Sequence, residues 1–210
     1  MASFPDLKSR LFISEGNPKE CSHFAWGDIE YQFDRYIYGY KESADLTISL
    51  ALQSGENENL DTSIFPACFM YRQYLELSLK DIYLSNSPDS KEEKVKAIKD
   101  CQHNLRKIWS RVRNLIVATY PKENPDALNA AESYVFQFSD EDVNSFSYRY
   151  PISKDLALVR SEKVINLKNL ADRMDELSEF LSSVSAGMAV KRDIESDMNS
   201  YYSEDMSGYY

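Results

Sequence analysis

His103 is the side chain in this sequence best suited to moving a proton near neutral pH, because an imidazole titrates there without help. Its only companion of that type is His23. Arg72 is the side chain best suited to holding a phosphate, since a guanidinium presents several donors in one plane. It falls inside an apolar stripe, between Phe69 and Leu75, with Glu76 one helical turn on and Lys80 one turn further. A charge on such a stripe must find partners, because an unpaired buried charge costs several kcal/mol.

A turn centred near Pro88 brings these residues together. Arg72 lies sixteen residues before Pro88 and Asn104 sixteen after it. If two antiparallel helices leave that turn with equal rise, Arg72 and Asn104 stand at the same level, with His103 beside them. Arg72, Glu76, His103 and Asn104 then form one polar cluster. It is either an internal salt bridge that fixes helix register, or a site in which Arg72 holds a phosphate and His103 transfers a proton. This holds for a helix running from Lys91. If the helix instead starts at His103, the alignment fails and His103 is a helix-start or loop-packing residue.

A second candidate is Arg149, flanked by Tyr148 and Tyr150. Arginine among aromatics can stack on a base and pair with phosphate, or pack beside Tyr150-Pro151 and pair with a carboxylate. Residues 91–122 carry nine Lys or Arg against Glu92, Glu93 and Asp100, a local charge of +6 in a chain of net −10. Lys96, Lys99, Arg106 and Arg113 are either a phosphate-backbone contact or a solvated face that meets the acidic remainder in a dimer or the acidic tail. There is no phosphate-cradling Gly-rich loop and no nucleophilic Ser motif. Two histidines eighty residues apart and three cysteines without a C-x-x-C (Cys21, Cys68, Cys101) suggest neither a metal centre nor a disulfide framework. No cofactor is expected.

The elements that must position these residues are helical. Six glycines and seven prolines in 210 residues are too few for the turns of a sandwich or barrel. Ile29, Phe33, Ile37, Tyr40, Ala44 and Ile48 recur at helical spacing, and Gly55 ends that helix. A second helix is expected from a cap at Asp61, Thr62 or Ser63 to about Leu84, with Pro66 in its first turn. A third runs from about Lys91 to Tyr120, and a shorter one from Asp126 to Phe136. Residues 139–160 break the pattern as a loop with short strands. A last long helix starts near Ser161, with Val164, Leu167, Leu170, Met174, Leu177, Leu181, Val184 and Met188 near heptad spacing. The resulting organisation is an irregular segment at 1–23, a helical bundle at 24–190 and an acidic, Tyr-rich tail at 191–210 whose composition predicts flexibility. Tyr201, Tyr202, Tyr209 and Tyr210 in that tail form either a docking peptide for a protein partner or a solubilising end. The N-terminus lacks the pattern of a signal peptide and no apolar run is long enough for a membrane span, so a cytoplasmic location is expected.

Three segments together resemble the HEPN family, helical domains of higher eukaryotes and prokaryotes named for nucleotide binding. YRQYLELSLKDIYL at 71–84 is similar to the family's second helix. HNLRKIW at 103–109 is similar to its His-Asp-Leu segment, and SYRYPISKD at 147–155 to its Arg-Tyr-Pro-Asp-like stretch before a final helix. The likeness covers roughly residues 62–188. It implies an all-α, HEPN-like up-and-down bundle with an irregular segment before the last long helix, a tendency to homodimerise, and a nucleotide or RNA context. The setting it implies is an accessory or effector of a prokaryotic stress, toxin–antitoxin or antiviral defence system. Ribonucleases of the family carry Arg, four to six residues, then His. Here Arg10 precedes His23 by thirteen residues and Arg72 precedes His103 by thirty-one, so the nuclease motif does not carry over. The ligand candidates are therefore Arg72, Glu76, His103, Asn104, Arg149 and Tyr150, with His103 and Arg72 as the catalytic pair if the protein is a divergent, metal-independent ribonuclease. A non-catalytic protein-interaction module is the remaining alternative.

Overall fold

The computed structural model describes residues 10–23, 27–122, 124–143 and 145–207, with side chains up to residue 198. Expectations for residues 1–9, for Tyr209 and Tyr210, and for the side chains of Tyr201 and Tyr202 lie outside the described residues. The protein is an all-α bundle with six helices among the described residues: α1 (Ile29–Ser54), α2 (Asn57–Asn86), α3 (Lys91–Cys101), α4 (Leu105–Thr119), α5 (Asp126–Glu141) and α6 (Leu167–Ser207). A single 3-10 turn, Pro18–Glu20, precedes them. Among the described residues the expected strands reduce to one isolated antiparallel bridge, Ile152 to Leu158.

α2 is the central member and packs on α1, α4 and α6. Its length explains the role. It is 30 residues long and buries Tyr71, Leu75, Leu79 and Ile82 along one side, with Cys68, Arg72 and Tyr83 beside them. α1 turns directly into α2 through Gly55, whose backbone is left-handed (φ 67°), a conformation that costs glycine little. α2 consequently starts at Asn57, before the expected caps, and Pro66 sits inside it instead of in its first turn. Thr62 and Pro66 are both exposed, on the side of α2 where the carbonyl left without a proline N–H is least costly.

The largest departure is in the third helix, which is two helices. α3 ends at Cys101 and α4 begins at Leu105, with Asn104 capping α4 by accepting from Lys107 N at 3.0 Å. The connection is a tight turn closed by Asn104 N donating to Cys101 O at 2.9 Å. Gln102 occupies its first central position with φ 47° and ψ −116°, the geometry of a type II′ turn that normally calls for glycine. α3 itself is opened by a reciprocal capping box between Ser90 and Glu93.

α5 runs past Phe136 to Glu141. α6 starts at Leu167, six residues later than expected, because Asn166 caps it by accepting from Asn169 N. Val164 is thereby left outside the helix, 96% exposed, while Met174, Leu177, Leu181, Val184 and Met188 are buried as their spacing predicts. α6 crosses residue 190 without interruption and continues to Ser207, through the stretch whose composition predicts flexibility. α1 is pinned to α6 and α2 by a polar knot. Lys41 Nζ donates to Asp45 on α1 (2.6 Å) and Asp175 on α6 (2.5 Å), and Tyr71 Oη donates to Asp45 (2.6 Å). Burial opposes the Lys41 charge, but the two carboxylates outweigh it and raise its pKa above the ordinary lysine value.

Candidate functional site

The apolar stripe of α2 carries Arg72 into the core, where it is fully buried. One terminal nitrogen donates to Glu76 at 3.1 Å, and the other to the backbone carbonyl of His103. Burial pulls the guanidinium below its ordinary pKa, and the nearby Glu76 and Asp142 charges oppose that shift. Arg72 Nε and Asp142 Oδ2 are both buried without a hydrogen-bond partner among the described residues.

Glu76 is the hub. Besides Arg72 it accepts from Lys80 Nζ at 2.6 Å and from His103 Nδ1 at 2.9 Å. Burial raises its pKa, but the Lys80 hydrogen bond and charge, the Arg72 charge and the His103 hydrogen bond together hold the carboxyl below the usual carboxylate value. With Glu76 ionised, Nδ1 of His103 is the donor in this bond, and the outward Nε2 is an acceptor when the ring is neutral. The His103 side chain is 63% exposed, against 6% for Glu76 and 0% for Arg72.

The structure joins Arg72, Glu76 and His103, but not by the level argument: the helix from Lys91 ends at Cys101, and His103 stands in the turn just before α4, the helix that packs on α2. Asn104 stays out of the cluster because its side chain caps α4. Arg72 is closed to solvent, so an incoming phosphate would meet the His103 ring and not the guanidinium.

Arg149 and Tyr150 sit elsewhere, on the wall of a cleft of about 1180 Å³. One side of the cleft is α2 with Leu60, Ile64 and Phe65; the other is the segment 147–167 that crosses from α5 to α6. That segment is irregular yet tied down. Asp142 accepts from Phe146 N (2.7 Å) and Ser147 N (2.9 Å), and Gln73 on α2 donates to Ser145 Oγ (2.9 Å). Arg160 donates to the carbonyls of Glu141 and Ser147, and its guanidinium lies 3.7 Å from the Tyr148 ring centroid. Lys163 pairs with Glu141. A smaller recess of about 510 Å³, reaching Cys68, Phe138 and Met174, shares Tyr148 and residues 163–166 with the main cleft. Burial pushes the Cys68 thiol up to about 11, so it is a packed apolar group and not a nucleophile.

Arg149 is oriented but not neutralised. Its Nε donates to Ser145 O at 2.6 Å and its guanidinium lies 5.7 Å from the Tyr150 ring centroid, yet no carboxylate pairs with it among the described residues. Arg106 and Arg160, by contrast, are each paired with an acid (Asp140 and Glu141). Tyr150 is half exposed and rests one face near Phe146, with ring centroids 4.9 Å apart. Sequence reasoning names Arg149 and Tyr150 as candidates and does not name Asp142, Arg160 and Lys163, which line or order the same segment. The available signal was an acid opening an irregular, aromatic-rich stretch, as a carboxylate that organises a loop does.

Among the described residues, no group of three His, Cys, Asp or Glu side chains is placed to hold a metal ion, and no helix is long and apolar enough to cross a membrane. Comparison with protein-family models, with curated proteins and with solved structures gave no match.

Proposed function

We propose that this helical bundle binds a nucleotide or single-stranded RNA at the cleft wall formed by Arg149 and Tyr150. The observation that carries this reading is Arg149, held in place through Nε and paired with no acid among the described residues. Such a group pairs with a phosphate, and the adjacent half-exposed Tyr150 ring offers a surface on which a base stacks. The likeness of residues 62–188 to HEPN segments supports the same ligand class, and a role as accessory or effector in a prokaryotic stress or defence system. In thermal shift assays with nucleoside triphosphates and short RNA, a ligand at a hundred times its Kd adds about 2.7 kcal/mol. At this chain length that raises Tm by roughly 5 to 10 °C. Arg149→Ala abolishes the shift and leaves the unliganded Tm unchanged. If no nucleotide or RNA moves Tm, or if Arg149→Ala leaves the shift intact, the reading fails and a protein-interaction module takes its place.

A second reading rests on His103. An exposed imidazole whose Nδ1 is held by a buried carboxylate is the arrangement of a general acid–base, with Nε2 directed to the reacting group. In a metal-independent ribonuclease His103 would move the proton, while Arg72 would only fix Glu76. An RNA-cleavage assay in excess chelator decides this: cleavage by the unmodified protein that disappears in His103→Ala supports it, and no cleavage removes it.

A further inference from the structure

The cleft that carries Arg149 is larger and more apolar than a phosphate and a base require. Its volume of about 1180 Å³ exceeds the roughly 300 to 1,000 Å³ of most small-ligand sites. Across it from Arg149 and Tyr150, α2 contributes Leu60 and Ile64, one turn apart on one helix face, with Phe65 beside them. Leu158 lines the same space from the irregular segment, on the short turn closed by its bridge to Ile152. Phe65 is half exposed and Leu158 more so, and neither serves the core. Single exposed leucines are ordinary, but an apolar wall facing one oriented cation marks a site for an apolar group.

The charge of the cleft suits one anion and not a run of phosphates. Of the three cations that line it, Arg160 and Lys163 are both held by Glu141, and Arg149 alone pairs with no acid among the described residues. Asp61 and Glu162 line the same space, and neither has a cationic partner among the described residues. An RNA strand brings a negative charge with every nucleotide. Once one phosphate has met Arg149, the next ones meet carboxylates and apolar side chains. A phosphate that carries an ester chain keeps a single negative charge, which matches the single free guanidinium. Its chain then has the α2 wall to lie on, while its base stacks on Tyr150.

We propose that the ligand of this cleft is a mononucleotide whose phosphate carries an apolar chain, the chain running along Leu60, Ile64 and Phe65 under Leu158. This narrows the nucleotide reading of Arg149, on which it rests. Isothermal titration calorimetry of the full chain tests it with adenosine 5′-monophosphate, the octyl ester of that phosphate, octyl phosphate and a six-nucleotide oligoadenylate. The alkyl probes are used below their micelle concentrations. Each methylene taken out of water tightens binding about fourfold, so three or four of them make the octyl ester bind about a hundredfold tighter than the unesterified nucleotide. The oligoadenylate and octyl phosphate both bind more weakly than the ester. Arg149→Ala weakens the nucleotide and its ester alike. In Phe65→Ser/Leu158→Ser, at two exposed positions, the advantage of the ester over the nucleotide shrinks about tenfold or more. Nucleotide and ester that bind equally, both through Arg149, overturn the proposal and leave the nucleotide reading standing. If neither binds, the nucleotide reading itself fails. An oligoadenylate tighter than the ester, octyl phosphate as tight as the ester, or an ester advantage that the serine pair leaves intact each overturns the proposal. So does a dimer in sedimentation that the serine pair dissolves with no ester preference, because the wall then belongs to a second copy.

Discussion

Exchanging Glu76 for Gln keeps the shape of the side chain and removes the charge on which Arg72, Lys80 and His103 converge. The three partners respond differently. Lys80 (15% exposed) and the His103 ring still reach water, whereas Arg72 has no exposure at all and keeps only the His103 carbonyl. Leaving such a charge without its counter-ion costs about 3 to 5 kcal/mol. Denaturant titration reads this as a fall in midpoint at constant slope. At 2 to 4 °C per kcal/mol it also lowers Tm by roughly 6 to 20 °C. Arg72→Met/Glu76→Leu removes both buried charges and fills the space with apolar atoms, so it costs less than the sum of Arg72→Met and Glu76→Leu. The pH profile gives a second reading of the same network. Because the folded-state pKa of Glu76 is depressed, its contribution is fully present above the ordinary carboxylate value and is lost as pH falls through the lower folded value. Glu76→Gln lacks that part of the acid loss. A Glu76→Gln protein that loses less than about 1 kcal/mol, as an exposed pair does, would refute this account of the core. Strict additivity of the two single substitutions would do the same.

Two further substitutions probe how the elements are set. Gln102→Gly relieves a positive φ that costs a non-glycine residue about 1 to 3 kcal/mol, partly offset by the greater entropy of the unfolded chain. The net expected gain is about 1 kcal/mol, or a Tm rise of roughly 2 to 4 °C in differential scanning calorimetry. Lys41→Met deletes the cation shared by Asp45 and Asp175 and destabilises by about 1 to 3 kcal/mol. The raised Lys41 pKa means that its stabilisation is present below the ordinary lysine value and disappears as pH climbs through the folded one. The unmodified protein therefore loses stability in strong alkali by a margin that Lys41→Met does not show.

Local rules made much of the architecture legible. The spacing of Ala44 and Ile48, of Leu75 and Leu79, and of Leu167, Met174, Leu177, Leu181, Val184 and Met188 named core residues that the structure buries, although Val164 of the same series is exposed. A glycine at 55 and turn residues at 86–90 placed the reversals. The break between α3 and α4 was not legible, because neither glycine nor proline marks it. The turn is carried by a strained Gln102 and by an asparagine whose cap competes with the continuing helix. The Lys41–Asp175 tie was equally hidden, since its partners are 134 positions apart and each reads alone as a surface charge. Arg72 was legible as a buried charge because an arginine in an apolar stripe violates the pattern. What the stripe could not reveal is that the guanidinium meets the His103 backbone and not its ring.

That last detail divides position 103 into two offices. Its main chain belongs to the interior, where its carbonyl terminates the Arg72 side chain, and its imidazole faces the outside. Any residue that fits the turn can supply the carbonyl. The side chain there is consequently open to exchange during evolution at little structural penalty, so whatever chemistry the outward group performs can be gained, altered or discarded while the bundle stays folded.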